Sequence, residues 1–70
     1  MEEIIDEIRT WLGDKTVLLE NLINHLRTQG RDEGEINYII GSLTDYKFSV
    51  MSINGVTYVS YKGDTVERLP

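Results

Sequence analysis

The side chains able to do chemistry are few and scattered. His25 is the single histidine and there is no cysteine, which removes thiol nucleophiles, disulfides and thiolate metal sites and leaves the redox compartment open. Proton transfer at His25 would need a carboxylate, nucleophile or metal beside it. The sequence places none there, so His25 reads as a surface or boundary residue. Glu2-Glu3 and Asp32-Glu33 open amphipathic segments, where adjacent acids complement a helix dipole instead of forming an acid–base pair. Asp32 to Glu35 is too short for a calcium loop, and no Gly-rich phosphate loop is joined to a strand. No group of residues meets the requirements of an active site, so the chain is expected to be non-enzymatic, with no catalytic, metal or cofactor-binding residues. What remains is recognition, and the elements decide which side chains are presented for it.

The stretch from Lys47 to Lys62, KFSVMSINGVTYVSYK, predicts a β-hairpin over 47–53 and 56–62. Asn54-Gly55 separates two runs rich in β-branched and aromatic residues and tolerates the positive φ angles of a type I′ turn. A two-residue loop sets the register: Ile53 opposite Val56, Met51 opposite Tyr58, Val50 opposite Val59, Phe48 opposite Tyr61, Lys47 opposite Lys62. Side chains then divide between two faces. Phe48, Val50, Val59 and Tyr61, with Ser52 and Thr57, are assigned to the core because they cluster where the ribbon joins the rest of the chain. Met51, Ile53, Val56 and Tyr58 are left facing outward near the tip, beside Ser49, Ser60 and the two lysines. A two-stranded ribbon is unstable alone and needs a body to pack on.

That body is predicted to be helical. Ile4, Ile5, Ile8, Trp11 and Leu12 recur at helical spacing over 2–12, opposite Glu2, Glu3, Asp6, Glu7 and Arg9, with Gly13 placed as a left-handed cap. Trp11 is expected to be the largest contributor to the core. A second helix is predicted over 15–28, capped by Asp14 or Thr16 and stopped by Gly30. Its apolar residues Val17, Leu18, Leu19, Leu22, Ile23 and Leu26 are numerous enough to imply burial on more than one side. A third is predicted over 33–45, with Asp32 and Glu35 at capping-box spacing and a stripe of Ile36, Ile39, Ile40 and Leu43. Gly41 weakens that helix and reads as tolerated. In the tail over 63–70, Val66 and Leu69 could pin the end against the body; without that contact the tail is expected to fray.

Seventy residues make one domain with a modest core, for which dimerisation would be a gain. No apolar run approaches membrane-spanning length, and the opening MEEIIDEI is acidic where a signal peptide is basic. A soluble cytoplasmic protein with no membrane contact is therefore expected. The net charge of −5, from twelve acids against seven bases, disfavours general attraction to nucleic acid.

Three helices with a short turn before the third, followed by a hairpin, resemble the winged helix-turn-helix superfamily, an α+β fold of order ααα-ββ with the hairpin as wing. The resemblance is carried by Leu22 and Leu26, then Ile36, Ile39, Ile40 and Leu43, then the strands flanking Asn54-Gly55. The short strand usual between the first two helices has at most Lys15-Thr16-Val17 to supply it, so a two-stranded ribbon is expected. The resemblance implies a third helix in the DNA major groove and a wing on the backbone. Asn37, Tyr38 and Ser42 would then read bases or sugars, and Arg27, Arg31, Lys47 and Lys62 would clamp phosphates. Yet that helix opens with Asp32, Glu33 and Glu35 and carries no lysine or arginine after Arg31, so its acids oppose phosphate contact. The reading favoured here is a regulatory module that binds protein, or a second copy of itself, through Met51, Ile53, Val56 and Tyr58 with Tyr38. A DNA-binding regulator is the alternative, and an acidic imitation of DNA is a variant of the first. Lys47 and Lys62 are read as protection against edge-to-edge association of the hairpin.

Overall fold

The computed structural model describes residues 2–62, so the expectation for Val66 and Leu69 lies outside the described residues. The architecture is α+β. Helix α1 (Glu2–Leu12) is followed by strand β1 (Val17–Leu18), helices α2 (Leu19–Thr28) and α3 (Glu33–Ser42), a 3-10 turn (Leu43–Tyr46) and strands β2 (Phe48–Ile53) and β3 (Val56–Tyr61). The strands form one antiparallel sheet in the order β1-β3-β2.

The hairpin follows from its turn. Asn54 (φ 54°) and Gly55 (φ 80°) both adopt the left-handed region that the type I′ turn needs, and the pairing runs unbroken from Ile53↔Val56 to Phe48↔Tyr61, as the two-residue loop requires. Its strands stop one residue short of the predicted ends at the base. There Lys47 is in the left-handed region and ends the 3-10 turn, while the Lys62 N–H still donates to the Lys47 carbonyl at 3.0 Å.

The sheet has three strands and not two, which corrects the ribbon. Val17 pairs with Val59 and Leu18 with Tyr58, so the start of the expected second helix is strand. Helix α2 therefore begins at Leu19 and not at 15, and Leu18 precedes it with no side-chain cap; neither Asp14 nor Thr16 caps it. Helix α3 is likewise shorter than expected, because the chain tightens into the 3-10 turn after Ser42. Its start behaves as predicted: the Asp32 carboxylate accepts the Glu35 N–H at 2.8 Å. Gly13 and Gly30 have positive φ and terminate α1 and α2.

Apolar side chains of all three helices meet one face of the sheet. The core comprises Ile5, Ile8, Leu12, Leu22, Leu26, Ile36, Ile39, Leu43, Phe48 and Val59, with no buried polar or charged residue among those described. Phe48 and Tyr61 touch across the strands with ring centroids 4.9 Å apart. Trp11 is only half-buried and stacks on His25 at 4.5 Å, so it closes the edge of the core and does not fill its centre. Val50 is a second correction: it is 37% exposed. In the row Val17–Val59–Val50 Val59 is flanked on both sides and fully buried, whereas Val50 stands on the strand that is outermost among the described residues.

A Cβ placed on Gly41 meets nothing within 4 Å, and the residue has ordinary helical geometry. Gly41→Ala is therefore expected to stabilise the chain by about 0.5–1 kcal/mol, since it lowers the entropy of the unfolded chain without strain. Urea unfolding checks this as a higher midpoint at unchanged slope.

Candidate functional site

Among the described residues, the helices cover one face of the sheet and leave the other open. By register the open face carries the row Leu18–Tyr58–Met51, the pair Ile53–Val56 nearer the turn, and Ser49–Ser60 toward the base. Met51 is 52% exposed, Ile53 51% and Val56 40%, while Tyr58 on the central strand is half-buried. A shallow groove of about 330 Å³ runs along this face, lined by Thr16, Ser49, Met51, Ile53, Tyr58, Ser60 and Lys62. Apolar side chains at one end and hydroxyls and an ammonium at the other suit a polypeptide surface of mixed character. Opposite, on the covered face, the Ser52 and Thr57 hydroxyls satisfy each other at 2.9 Å.

Leu18 is the residue that sequence reasoning placed wrongly. Read as part of a helix, it had no link to the hairpin, yet its pairing with Tyr58 extends the open apolar row onto a third strand. A second groove, of about 670 Å³, lies between α2 and the hairpin turn, where Leu18, Leu19, Ile23 and Val56 line it with Glu20 and Arg27. Tyr38 is 67% exposed on α3 and is not among the residues lining either groove.

The residues named for DNA contact divide into two sets. Arg27 donates from Nε to Glu33 Oε2 at 2.7 Å and from its terminal nitrogen to Oε1 at 3.0 Å. Arg31 donates to Glu35 at 2.8 Å and reaches Glu7 at 3.8 Å. Both arginines are therefore held by acids of helices α1 and α3, Glu7, Glu33 and Glu35, in positions where phosphates would have to displace carboxylates. Asn37 is exposed on α3, and the Ser42 hydroxyl donates back to the Tyr38 carbonyl at 2.9 Å, a local bond typical of serine near a helix end. Lys47 and Lys62 form the other set: they are exposed at the base of the hairpin and pair with no carboxylate among the described residues.

The Arg27–Glu33 pair sets a pH response. Hydrogen bonding to Arg27 lowers the Glu33 carboxyl below its ordinary range, and the same contact raises Arg27. A lowered folded-state value means that the pair contributes above the unfolded glutamate value and is lost as pH falls through the folded one. Carboxyl NMR is expected to place the Glu33 midpoint below that of a free glutamate, and Arg27→Ala should return it toward that value. An unchanged midpoint would show that the contact is not held in solution.

Among the described residues no three His, Cys, Asp or Glu side chains gather to hold one metal ion, and no helix is long and apolar enough to cross a membrane. Compared with family models, with curated proteins and with solved structures, the chain matches none of them.

Proposed function

We propose that this chain is a small non-enzymatic regulatory module of winged-helix type that acts chiefly by binding other polypeptides through the open face of its sheet. The observation that carries the reading is the exposure of Met51, Ile53 and Val56 together on a sheet face that no helix among the described residues covers. Exposed apolar residues scattered singly are ordinary, but a contiguous group rimmed by polar residues marks interaction sites. The winged-helix part of the proposal is supported by the chain order α1-β1-α2-α3-β2-β3 and the sheet order β1-β3-β2, in which β1 takes the place of the short strand between the first two helices.

DNA recognition is the second reading, favoured by Lys47 and Lys62 at the base of the hairpin, which are exposed and pair with no carboxylate among the described residues. Magnitude argues against it. A duplex binder with roughly six to ten phosphate contacts loses affinity with a log–log salt slope of about −0.9 per contact. Two lysines supply a slope of only about −2, and the acids holding Arg27 and Arg31 oppose any addition. Titration of the chain with mixed-sequence duplex DNA at low salt, repeated as salt is raised, tests the proposal. The expected result is weak binding with a slope no steeper than about −2. Tight binding with a slope of about −5 or steeper, reduced by Arg31→Ala and Lys62→Ala, would replace the protein-binding reading with the DNA one.

A further inference from the structure

We infer that the free edge of β2 accepts an extended peptide from another protein as a fourth, antiparallel strand, and that this peptide carries carboxylates at its C-terminal end. The inference rests on the reading of the sheet as a polypeptide-binding surface and adds the edge, the orientation and the chemistry of the partner.

The backbone parity comes first. In an antiparallel ladder, alternate residues direct their N–H and C=O groups to one neighbour and then away from it. The Lys62 N–H to Lys47 carbonyl bond at 3.0 Å fixes which residues are which: 47, 49, 51 and 53 bond toward β3. Phe48, Val50 and Ser52 therefore direct their backbone groups away from β3, and among the described residues β2 is the outermost strand in the order β1-β3-β2. Three outward-facing residues at alternate positions make a template for strand addition.

The edge also lacks the usual protection. Natural edges are kept short or are broken by charge, proline or a bulge. The other edge of this sheet follows that rule, since β1 has two residues and leads directly into α2. Strand β2 has six residues, FSVMSI, with no charge and no proline, and it pairs without interruption. Lys47 precedes the strand and so cannot protect its length.

Charge selects the occupant. Lys15, Lys47 and Lys62 are the only lysines of the chain, and none pairs with a carboxylate among the described residues, whereas Arg27 and Arg31 do. Lys47 and Lys62 are joined through their backbones at the end where β2 begins. A peptide antiparallel to β2 has its C-terminal end there, so carboxylates at that end meet two ammonium groups. A second copy of the chain fits less well, because antiparallel pairing of two β2 strands places each Lys47 near the uncharged turn of its neighbour.

The test pans a random ten-residue peptide display library against the folded chain, then titrates the strongest synthetic peptide into labelled protein. The expected peptides alternate apolar and polar residues and end in two or more Asp or Glu. On binding, amide exchange should slow at Phe48, Val50 and Ser52 and not at Met51. Val50→Pro removes an outward N–H without touching the β3 ladder and is expected to abolish binding. Lys47→Glu with Lys62→Glu, which leaves the strand itself unaltered, should weaken binding by about tenfold. No enrichment, peptides without C-terminal acids, or exchange unchanged at the three edge amides each overturns the inference. So does a dimer of the free chain with those amides already protected. Tightening by about tenfold in Asp64→Asn with Glu67→Gln overturns it as well, because the lysines would then be answered by the chain's own carboxylates. Peptides that bind the open face without engaging the edge sink the inference alone. Absence of any peptide or protein binding, combined with steeply salt-dependent duplex binding, sinks the broader reading too.

Discussion

Leu22→Ala is expected to destabilise the chain by about 3 kcal/mol, and Ile53→Ser, a change of similar size on the same domain, by less than about 1 kcal/mol. Leu22 is fully buried on α2 among residues from the other helices and the sheet. Its truncation removes transfer energy and leaves a cavity that surrounding side chains fill only in part. Seventy residues at typical stabilities per residue have only about 4–10 kcal/mol in total, so this one change consumes a large share. The expected fall in melting temperature is about 12–24 °C. Ile53, half-exposed on the open face, loses little that folding had gained. Urea unfolding of the two variants side by side measures the contrast, and comparable losses would place Ile53 in the core and reverse the assignment of the faces.

The second large effect is on binding. Ile53→Ser combined with Tyr58→Ser is expected to leave the chain folded and to weaken its hold on a polypeptide partner by about 30-fold or more, the scale of losing central apolar and aromatic anchors. Tyr58 stands between Leu18 and Met51 in the open row, so its removal divides the apolar surface as well as shrinking it. Cross-strand pairs of this kind contribute roughly 0.2–1 kcal/mol each, which the fold can lose and survive. Circular dichroism and titration of the same preparation separate the two effects. An unfolded double variant would show that these side chains hold the domain together, and unaltered binding would move the contact elsewhere.

What local sequence could reveal was governed by how local the cause was. The turn at Asn54-Gly55 fixed the whole hairpin register because a two-residue loop leaves no freedom to slip, and Asp32 as the cap of α3 followed from its spacing to Glu35. Strand β1 is only hinted at locally, through Lys15-Thr16-Val17, and a two-stranded ribbon is expected in its place for the opposite reason. Val17-Leu18 lies in one apolar run with Leu19 and Leu22, and only pairing with Val59 and Tyr58, forty residues away in the chain, makes it a strand. Without β1 the strand order was unknown, and with it the difference between Val59 at the centre and Val50 at the edge. The electrostatics divided in the same way. Arg31 and Glu35 are four residues apart and their pairing is local, though the winged-helix resemblance assigns Arg31 to phosphate, whereas Arg27 meets Glu33 across the connection between two helices. Of the candidate contact residues, Met51, Ile53, Val56 and Tyr58 could be grouped from register alone. Leu18 could not, since the pattern that holds it is long-range.

Methyl relaxation by a freely diffusing paramagnetic agent, measured on the dilute chain before and after a bound polypeptide is added, tests the central claim most directly. The open sheet face predicts that the Met51 and Ile53 methyls are relaxed strongly in the free chain, that Leu22 and Ile39 are spared, and that the partner shields Met51 and Ile53. Shielded Met51 and Ile53 methyls in the free monomer, or no change on adding the partner, would contradict it.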